Sequence, residues 1–321
     1  MHWSDDGTYG LRASRRLHQR GEKLELQARL GFSYYPGCSV EGMNKAYDKS
    51  TQLACKALNI DLTELSDWNC CGASAYMSIH EMKAHLLSAR NLALAEKERK
   101  DLVVVCPACL TTLTKTNHYL AEESRFRRSI GASLKAANLQ YLGSVKVRHL
   151  LEVIVNDVGE REVKSRIKRK LSGLKVAPYY GCQLTRPFGE IDDKEFPVIL
   201  DRLLGWIGVE PVDFPLKTKC CGGLLMMTNE EVALGLNRNI LDCAKQNGAQ
   251  CIITICPLCH MNIETYQGDV NKMFGTDFKI PTLYFTQLMG LAFGFSRKEL
   301  GIDEEMISSR PLLERYLEVI E

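Results

Sequence analysis

Ten of the thirteen cysteines in this 321-residue chain form two sets that follow one order: a single cysteine, an adjacent pair and a C-x-x-C unit. The first set is Cys38, Cys70, Cys71, Cys106 and Cys109, and the second is Cys182, Cys220, Cys221, Cys256 and Cys259. In both sets 34 residues separate the pair from the C-x-x-C, while the earlier gap is 31 residues in the first set and 37 in the second. Since order and spacing recur together, the sequence predicts an internal duplication with five thiols in each copy.

Thiolates in such sets can bind soft metals or exchange with disulfides. Each C-x-x-C contains a proline, Pro107 or Pro257, which suits the first position of a helix. Thiols at a helix start meet free backbone N–H groups and the positive end of the helix dipole, and both lower the thiol pKa. A glycine follows each adjacent pair, Gly72 or Gly222, and permits the bend that turns both neighbouring side chains toward one centre.

Three kinds of site compete for these thiols. A structural zinc ion would take four thiolates and leaves the fifth cysteine of each set unexplained. A dithiol relay would use Cys106/Cys109 and Cys256/Cys259, but it leaves the adjacent pairs unexplained. An iron–sulfur cluster needs several thiolates from one fold, although the ferredoxin run C-x₂-C-x₂-C-x₃-C-P does not occur in the sequence. The residues favour an iron–sulfur cluster of another type, with zinc and disulfide chemistry as the open alternatives.

Alternating strand and helix patterns must position these thiols. We predict strands at 32–35, 61–65, 102–105, 176–180, 210–214 and 251–255, and helices at 46–58, 79–97, 197–207 and 230–245 and after each C-x-x-C. This alternation predicts an α/β fold of two similar Rossmann-like modules with parallel sheets, related by a pseudo-twofold axis. Cys38, Cys106, Cys182 and Cys256 each follow a strand, so we expect the thiols at the carboxyl edges of the sheets, where open α/β sheets carry their sites.

The duplication also predicts the domain organisation. We expect an N-terminal extension at 1–30, a first module at 31–150, a linker helix region at 151–173, a second module at 174–300 and a C-terminal helical tail at 301–321. The extension is polar and rich in arginine, which is compatible with a partner-binding arm, a disordered tail or a misplaced start.

Composition excludes several classes of protein. With 41 Lys and Arg against 39 Asp and Glu, the formal net charge of +2 argues against nucleic acid as the main partner. No secretory signal begins at Met1, and no apolar run reaches the ~18 residues that span a bilayer. An odd number of cysteines in a chain of this length argues against a disulfide framework. We therefore expect a cytoplasmic protein with reduced or metal-bound thiols.

The pattern C-x₃₁-C-C-G-x₃₃-C-x-x-C, and its counterpart with 37 residues in the first gap, resembles the CCG domains of the B-type subunits of heterodisulfide reductases. The resemblance spans about residues 31–290 and extends to the contexts at 35–39, 67–73 and 178–183. It implies one noncubane 4Fe–4S cluster in each module, bound by the five cysteines of each set. It further implies that a disulfide lies between the two clusters and is cleaved reductively there.

By the same resemblance the chain is the catalytic B-type subunit of a heterodisulfide reductase-like complex, an oxidoreductase that reduces or forms a disulfide. Electrons would come from a ferredoxin-like C-type subunit and a flavin-containing A-type subunit. Neither Gly-x-Gly-x-x-Gly nor a Walker loop occurs, so no flavin or nicotinamide is expected on this chain. One alternative is a CCG-domain electron-transfer subunit of a lactate-, glycolate- or succinate-type or quinone-linked oxidoreductase. The other is a non-enzymatic metal-binding scaffold.

Several residues stand outside the repeated pattern. Cys55, Cys243 and Cys251 are predicted to pack as small apolar side chains. His260 follows Cys259 directly, and a hydrogen bond near the second thiol set is one interpretation, but Leu110 at the equivalent position of the first module argues against a functional role. The apolar stretch 224–227 is expected either to line a substrate cavity or to pack in the core.

Overall fold

The computed structural model describes residues 30–73 and 75–316, and within them the strands form two separate sheets. The strands are β1 (Leu30–Tyr35), β2 (Ile60–Glu64), β3 (Leu102–Val104), β4 (Val147–His149), β5 (Lys175–Tyr179), β6 (Glu210–Pro211), β7 (Cys251–Thr254) and β8 (Thr282–Tyr284). Their order is β2-β1-β3-β4 in one sheet and β6-β5-β7-β8 in the other, and every pairing is parallel. The predicted fold of two similar α/β modules with parallel sheets is confirmed.

Helices connect the strands in both modules. They are α1 (Cys38–Glu41), α2 (Lys45–Ala57), α3 (Ala75–Ile79), α4 (Glu81–Glu98), α5 (Pro107–Glu122), α6 (Ser124–Ala136), α7 (Leu150–Val153), α8 (Gly159–Ser165), α9 (Ile199–Trp206), α10 (Glu230–Gln246), α11 (Pro257–Thr265), α12 (Gln267–Phe274), α13 (Phe285–Ala292) and α14 (Arg310–Leu313). A π-helical turn at Ile154–Val158 joins α7 to α8, and a 3₁₀ turn lies at Ile302–Glu304. None of these helices in the described part of the chain is long and apolar enough to cross a membrane.

The sequence patterns identify three of the four strands in each sheet. Strands β4 and β8 were not predicted; each has three residues, too few to show a strand periodicity. The predicted strand 210–214 is too long, since the paired residues end at Pro211 and the last ladder hydrogen bond runs from the N–H of Val212 to the carbonyl of Val176. The predicted helix 79–97 begins later, at Glu81, because His80 leaves the helical conformation with φ −145°.

The two modules share one continuous hydrophobic core. Helix α13 of the second module packs on α2 of the first, and α7 of the first packs on α9 of the second. Because α7 and α13 each follow the last strand of a sheet while α2 and α9 each follow the first, the exchange is reciprocal, as a twofold relation requires. All eight residues of α13 are buried. The predicted domain boundaries remain predictions, and residues 1–29 lie outside the described part.

Candidate metal centre

All ten cysteines of the two sets line one cavity of about 250 Å³ where the carboxyl edges of the two sheets meet. None of the thirteen cysteines forms a disulfide. The rest of the wall consists of small and apolar side chains together with Ser39, Tyr180 and Gln183. None of these described lining residues is an Asp, Glu, Lys, Arg or His, so the cavity presents thiols in otherwise uncharged surroundings.

The glycine after each adjacent pair allows both thiols to reach the cavity. Gly72 has φ +83° and Gly222 has φ +81°, in the left-handed region that glycine occupies without strain. A Cβ on Gly72 would lie 2.9 Å from Cα of Ala84, and one on Gly222 would lie 2.8 Å from Cα of Ala233. These alanines belong to α4 and α10, so each bend is pressed against a helix that leaves no room for a side chain. The predicted role of this glycine is confirmed.

Within each module the thiols form an outer and an inner pair. The sulfur atoms of Cys38 and Cys70 lie 3.8 Å apart near the surface, and those of Cys71 and Cys109 lie 3.3 Å apart in the interior. The second module repeats the inner pair with 3.5 Å between the sulfur atoms of Cys221 and Cys259. Its outer thiols are Cys182, which is partly buried, and Cys220, which is exposed, and each shifts the pKa of the other. Solvent therefore reaches one end of each set and is excluded from the other.

The fifth thiols of the two sets meet each other at the centre. Cys106 and Cys256 are both buried, both line the cavity, and each shifts the pKa of the other. They occupy equivalent positions, each just before the proline at the start of α5 or α11. The two thiol sets therefore share one cavity and approach each other through these two cysteines, which spacing alone did not predict.

Hydrogen bonds among the thiols divide them into acidic and basic members. The pKa of Cys106 lies well below its usual value because Cys109 and Cys256 hydrogen bond to it, with help from the backbone N–H groups of Cys109 and Ala108. Its partner Cys256 has a raised pKa because it supplies a proton to Cys106. The pKa of Cys220 falls to about 6, mainly through the hydrogen bond from Cys182. The centre therefore holds thiolates ready to bind cations.

This donor set fits an iron–sulfur cluster. Several thiolates with helix N-termini behind them come from one fold, as such clusters require. Among residues 30–73 and 75–316 no group of three or more His, Cys, Asp or Glu side chains already has the arrangement to hold a metal ion. Within the three pairs whose distances are resolved, the sulfur atoms lie 3.3–3.8 Å apart.

Comparison with known proteins agrees with this geometry. The sequence profile of the CCG cysteine-rich domain matches residues 32–114 and again 176–264. The B-type subunit of a ferredoxin/F(420)H(2)-dependent CoB-CoM heterodisulfide reductase from Methanosarcina acetivorans is 33% identical over 292 residues, which are 89% of this chain and 97% of that protein. The chain belongs to the family of heterodisulfide reductase B-type subunits.

The chain is also similar to a subunit of a different reductase and to a solved structure. The 8-methylmenaquinol:fumarate reductase membrane anchor subunit of Wolinella succinogenes is 32% identical over 283 residues, covering 88% of this chain and 98% of that protein. A crystal structure of a hypothetical protein from Helicobacter pylori has the same fold, with a TM-score of 0.69 and 17% identity. That match covers 87% of this heterodisulfide reductase family member and 52% of the longer Helicobacter chain.

His260 of this family member pairs with a carboxylate and stacks on an aromatic ring. Its Nε2 lies 3.1 Å from Glu264, its ring stacks on Tyr284 with centroids 4.1 Å apart, and its buried Nδ1 has no hydrogen-bond partner. No hydrogen bond from His260 to the thiols is observed, in agreement with the absence of a histidine at the equivalent Leu110. Sequence reasoning also missed Tyr180, which lines the cavity while its hydroxyl binds Asp201.

The three cysteines outside the two sets lie away from the cavity, whereas part of the apolar stretch 224–227 lines it. Cys55 and Cys251 are buried as predicted, whereas Cys243 is only partly buried and its sulfur lies 3.6 Å from Nδ2 of Asn247. From the stretch 224–227, Leu224 and Leu225 line the cavity. Met226 and Met227, whose adaptable side chains were the reason to expect this stretch at the cavity, are not among its lining residues.

Proposed function

We propose that this chain is the catalytic B-type subunit of a heterodisulfide reductase-like complex and that it reduces or forms a disulfide in the thiol-lined cavity. The observation that carries the proposal is the single cavity that both sets of five thiols line. A scaffold protein would need no cavity shared by two metal-binding sets. The 33% identity with the B-type subunit of a heterodisulfide reductase supports the same class of activity.

Each module would hold one noncubane 4Fe–4S cluster. The first cluster would be bound by Cys38, Cys70, Cys71, Cys106 and Cys109, and the second by Cys182, Cys220, Cys221, Cys256 and Cys259. When bound, such clusters supply electrons one at a time, and disulfide reduction needs two.

The chain itself supplies a shielded place for the reaction R–S–S–R′ + 2 e⁻ + 2 H⁺ → R–SH + R′–SH. The inner thiols are buried, whereas Cys38 and Cys220 are exposed, so a disulfide enters past these two residues. The uncharged wall keeps water from solvating the sulfur atoms as the bond breaks. Gly72 and Gly222 allow the bends that direct the adjacent cysteines into the cavity, and these bends keep the metal-binding thiolates in one place.

Electrons would come from a ferredoxin-like C-type subunit and a flavin-containing A-type subunit, since the sequence has no nucleotide-binding fingerprint. The names of the relatives support this proposal, because they describe lettered or anchor subunits of larger reductases.

The test is an anaerobic preparation of the iron-loaded chain with reduced methyl viologen as electron donor. We expect about eight irons with matching sulfide per chain and consumption of two electrons for each disulfide reduced. A Cys71→Ser/Cys221→Ser double variant should lose the cluster signals and the activity together. Retention of disulfide reduction without the clusters would contradict the proposal, and stoichiometric zinc would replace it with a structural site.

The second candidate is an electron-transfer subunit of a quinone-linked oxidoreductase. The 32% identity with the Wolinella succinogenes subunit favours it, since that similarity covers almost the whole of both chains. The same preparation separates the two candidates. An electron-transfer subunit would be reduced and reoxidised by a quinol/quinone couple while disulfides leave its oxidation state unchanged.

A further inference from the structure

The two halves of the cavity carry side chains of different size at equivalent positions. Between the cysteines of the C-x-x-C, the first module has Ala108 after its proline and the second has Leu258. Directly after the C-C-G motif, the first module continues with Ala73 and the second with Gly223. All four residues line the cavity, so the thiols of the two modules are equivalent but the walls around them are not.

In the second module the small residue makes room for the large one, because Gly223 lacks the Cβ that would lie against Leu258. A Cβ on Gly223 would lie 3.0 Å from Cγ of Leu258 and 3.4 Å from the sulfur of Cys221. Leu258 therefore lies against the backbone of residue 223 and beside the second thiol of the adjacent pair. In the first module Ala73 carries this Cβ, and Ala108 has no side chain long enough to meet it. The isobutyl group of Leu258 therefore reaches further from the backbone into the cavity wall than the methyl group of Ala108.

Two further leucines narrow the same half. Leu224 and Leu225 follow Gly223, line the cavity and are 52% and 37% exposed, so they stand at its mouth. With Leu258 they give the second-module half an apolar and constricted wall. No described charged side chain lines either half, so neither half offers an ion-pair partner to a substituent next to the disulfide.

We propose that Leu258 is a specificity-determining residue that restricts the second-module half to a compact substituent, while Ala108 allows a bulkier one in the first-module half. The assignment rests on the proposed function and fixes the orientation of an unsymmetrical disulfide: its smaller half faces Cys220 and Cys221. Steric selection of this kind discriminates by about tenfold or more for a few extra methylene groups.

The test uses the anaerobic iron-loaded chain and measures binding of two thiols, ethanethiol and cyclohexanethiol, by calorimetry. We expect two ethanethiols but one cyclohexanethiol per wild-type chain. Leu258→Ala should bind two cyclohexanethiols. An Ala73→Gly/Ala108→Leu double variant, which rebuilds the second-module wall in the first module without a clash, should bind none and still bind two ethanethiols. Two cyclohexanethiols on the wild-type chain, one on Leu258→Ala, or no thiol bound by any variant would overturn the assignment.

Turnover separates this proposal from the proposed reductase activity. With reduced methyl viologen, the wild-type chain should reduce ethyl cyclohexyl disulfide about tenfold faster than dicyclohexyl disulfide, and Leu258→Ala should bring the two rates within about threefold. Thiol stoichiometries as expected with no turnover would retain the role of Leu258 and refute the reductase. Equal turnover of both disulfides by wild-type and variant would retain the reductase and refute the role of Leu258.

Discussion

The ring of Tyr47 in the first module stacks on the ring of Tyr284 in the second, with centroids 3.9 Å apart and planes inclined by 5°. The Tyr47 hydroxyl donates a hydrogen bond to the carbonyl of Ile255, the residue before Cys256. The Tyr284 hydroxyl in turn donates to Asn44 in the first module. The interface between the modules and the position of the central thiols therefore depend on the same buried pair.

Replacement of Tyr47 should destabilise the whole chain. Tyr47→Ala removes a fully buried ring and should lower the free energy of unfolding by about 3–5 kcal/mol. Tyr47→Phe keeps the ring and leaves the Ile255 carbonyl without its donor, so we expect the free energy of unfolding to fall by about 1–3 kcal/mol. Urea denaturation of the anaerobic protein measures both. Equal losses for the two variants would show that the stacked ring contributes nothing.

A cysteine of the sets and a cysteine outside them should differ in their effect on iron content. Cys221→Ala should lower the iron from about eight to about four atoms per chain, because one of the two sets is incomplete. Cys251→Ala is the matched control, since Cys251 is also buried and lies in the same module. Iron and sulfide analysis of the purified variants is the measurement. Iron loss in Cys251→Ala equal to that in Cys221→Ala would remove the distinction between ligand and packing cysteine.

Gly222 should tolerate no side chain. Gly222→Ala places a Cβ 2.8 Å from Cα of Ala233 in a residue with φ +81°, and should cost more than about 3 kcal/mol of stability and most of the second-module iron. Gly248→Ala controls for the backbone conformation, because Gly248 has φ +73° with no atom within 4 Å of the added Cβ. It should cost only about 1–2 kcal/mol and keep the iron. Similar losses in both variants would leave backbone strain as the sole cause.

Glu305 should make the stability depend on pH. Burial raises its pKa from 4.5 to about 9, and Glu264 and Asp303 add to the shift against a hydrogen bond from Ser309. Between these values the folded chain holds a proton that the unfolded chain releases, so stability falls as pH rises from 4.5 towards 9. The slope from this group is at most about 1.4 kcal/mol per pH unit.

The measurement compares urea midpoints of wild type and Glu305→Gln at about pH 6 and about pH 8, both inside this interval. The variant cannot ionise at this position, so its stability should fall less between the two conditions. Parallel losses in the two proteins would contradict the raised pKa of Glu305.

The thiol sets could be predicted from the sequence because chain order and spacing are local properties that recur in both modules. The shared cavity that brings Cys106 and Cys256 together could not, because it depends on how the two modules pack, for example α13 against α2. Strands β4 and β8 were missed for a similar reason. Their three-residue segments are ordered by pairing with β3 and β7 and carry no strand pattern of their own.

Tyr180 could not be predicted, because the two Tyr-Tyr pairs are shifted by one residue relative to each other in the fold. The two Tyr-Tyr pairs look equivalent in sequence, but the hydroxyls of Tyr35 and Tyr179 fill the same role. Each donates to the carbonyl of the residue before an adjacent cysteine pair, Asn69 or Lys219. Strand register agrees, since Tyr35 pairs with Val104 and Tyr179 with Thr254. Tyr180 therefore takes the place of Pro36, and no spacing rule identifies such an exchange.

The reciprocal exchange of helices between the modules constrains how this protein can change over evolutionary time. Helix α13 is covered on all sides, and part of its cover is α2 of the other half. Deleting either half would expose an apolar helix and remove part of the surviving half's interior. A lineage that no longer needs one set of thiols can replace its cysteines one by one, but it must keep the module that carried them. Degenerate copies of this architecture should therefore retain both sheets and differ in which cysteines remain.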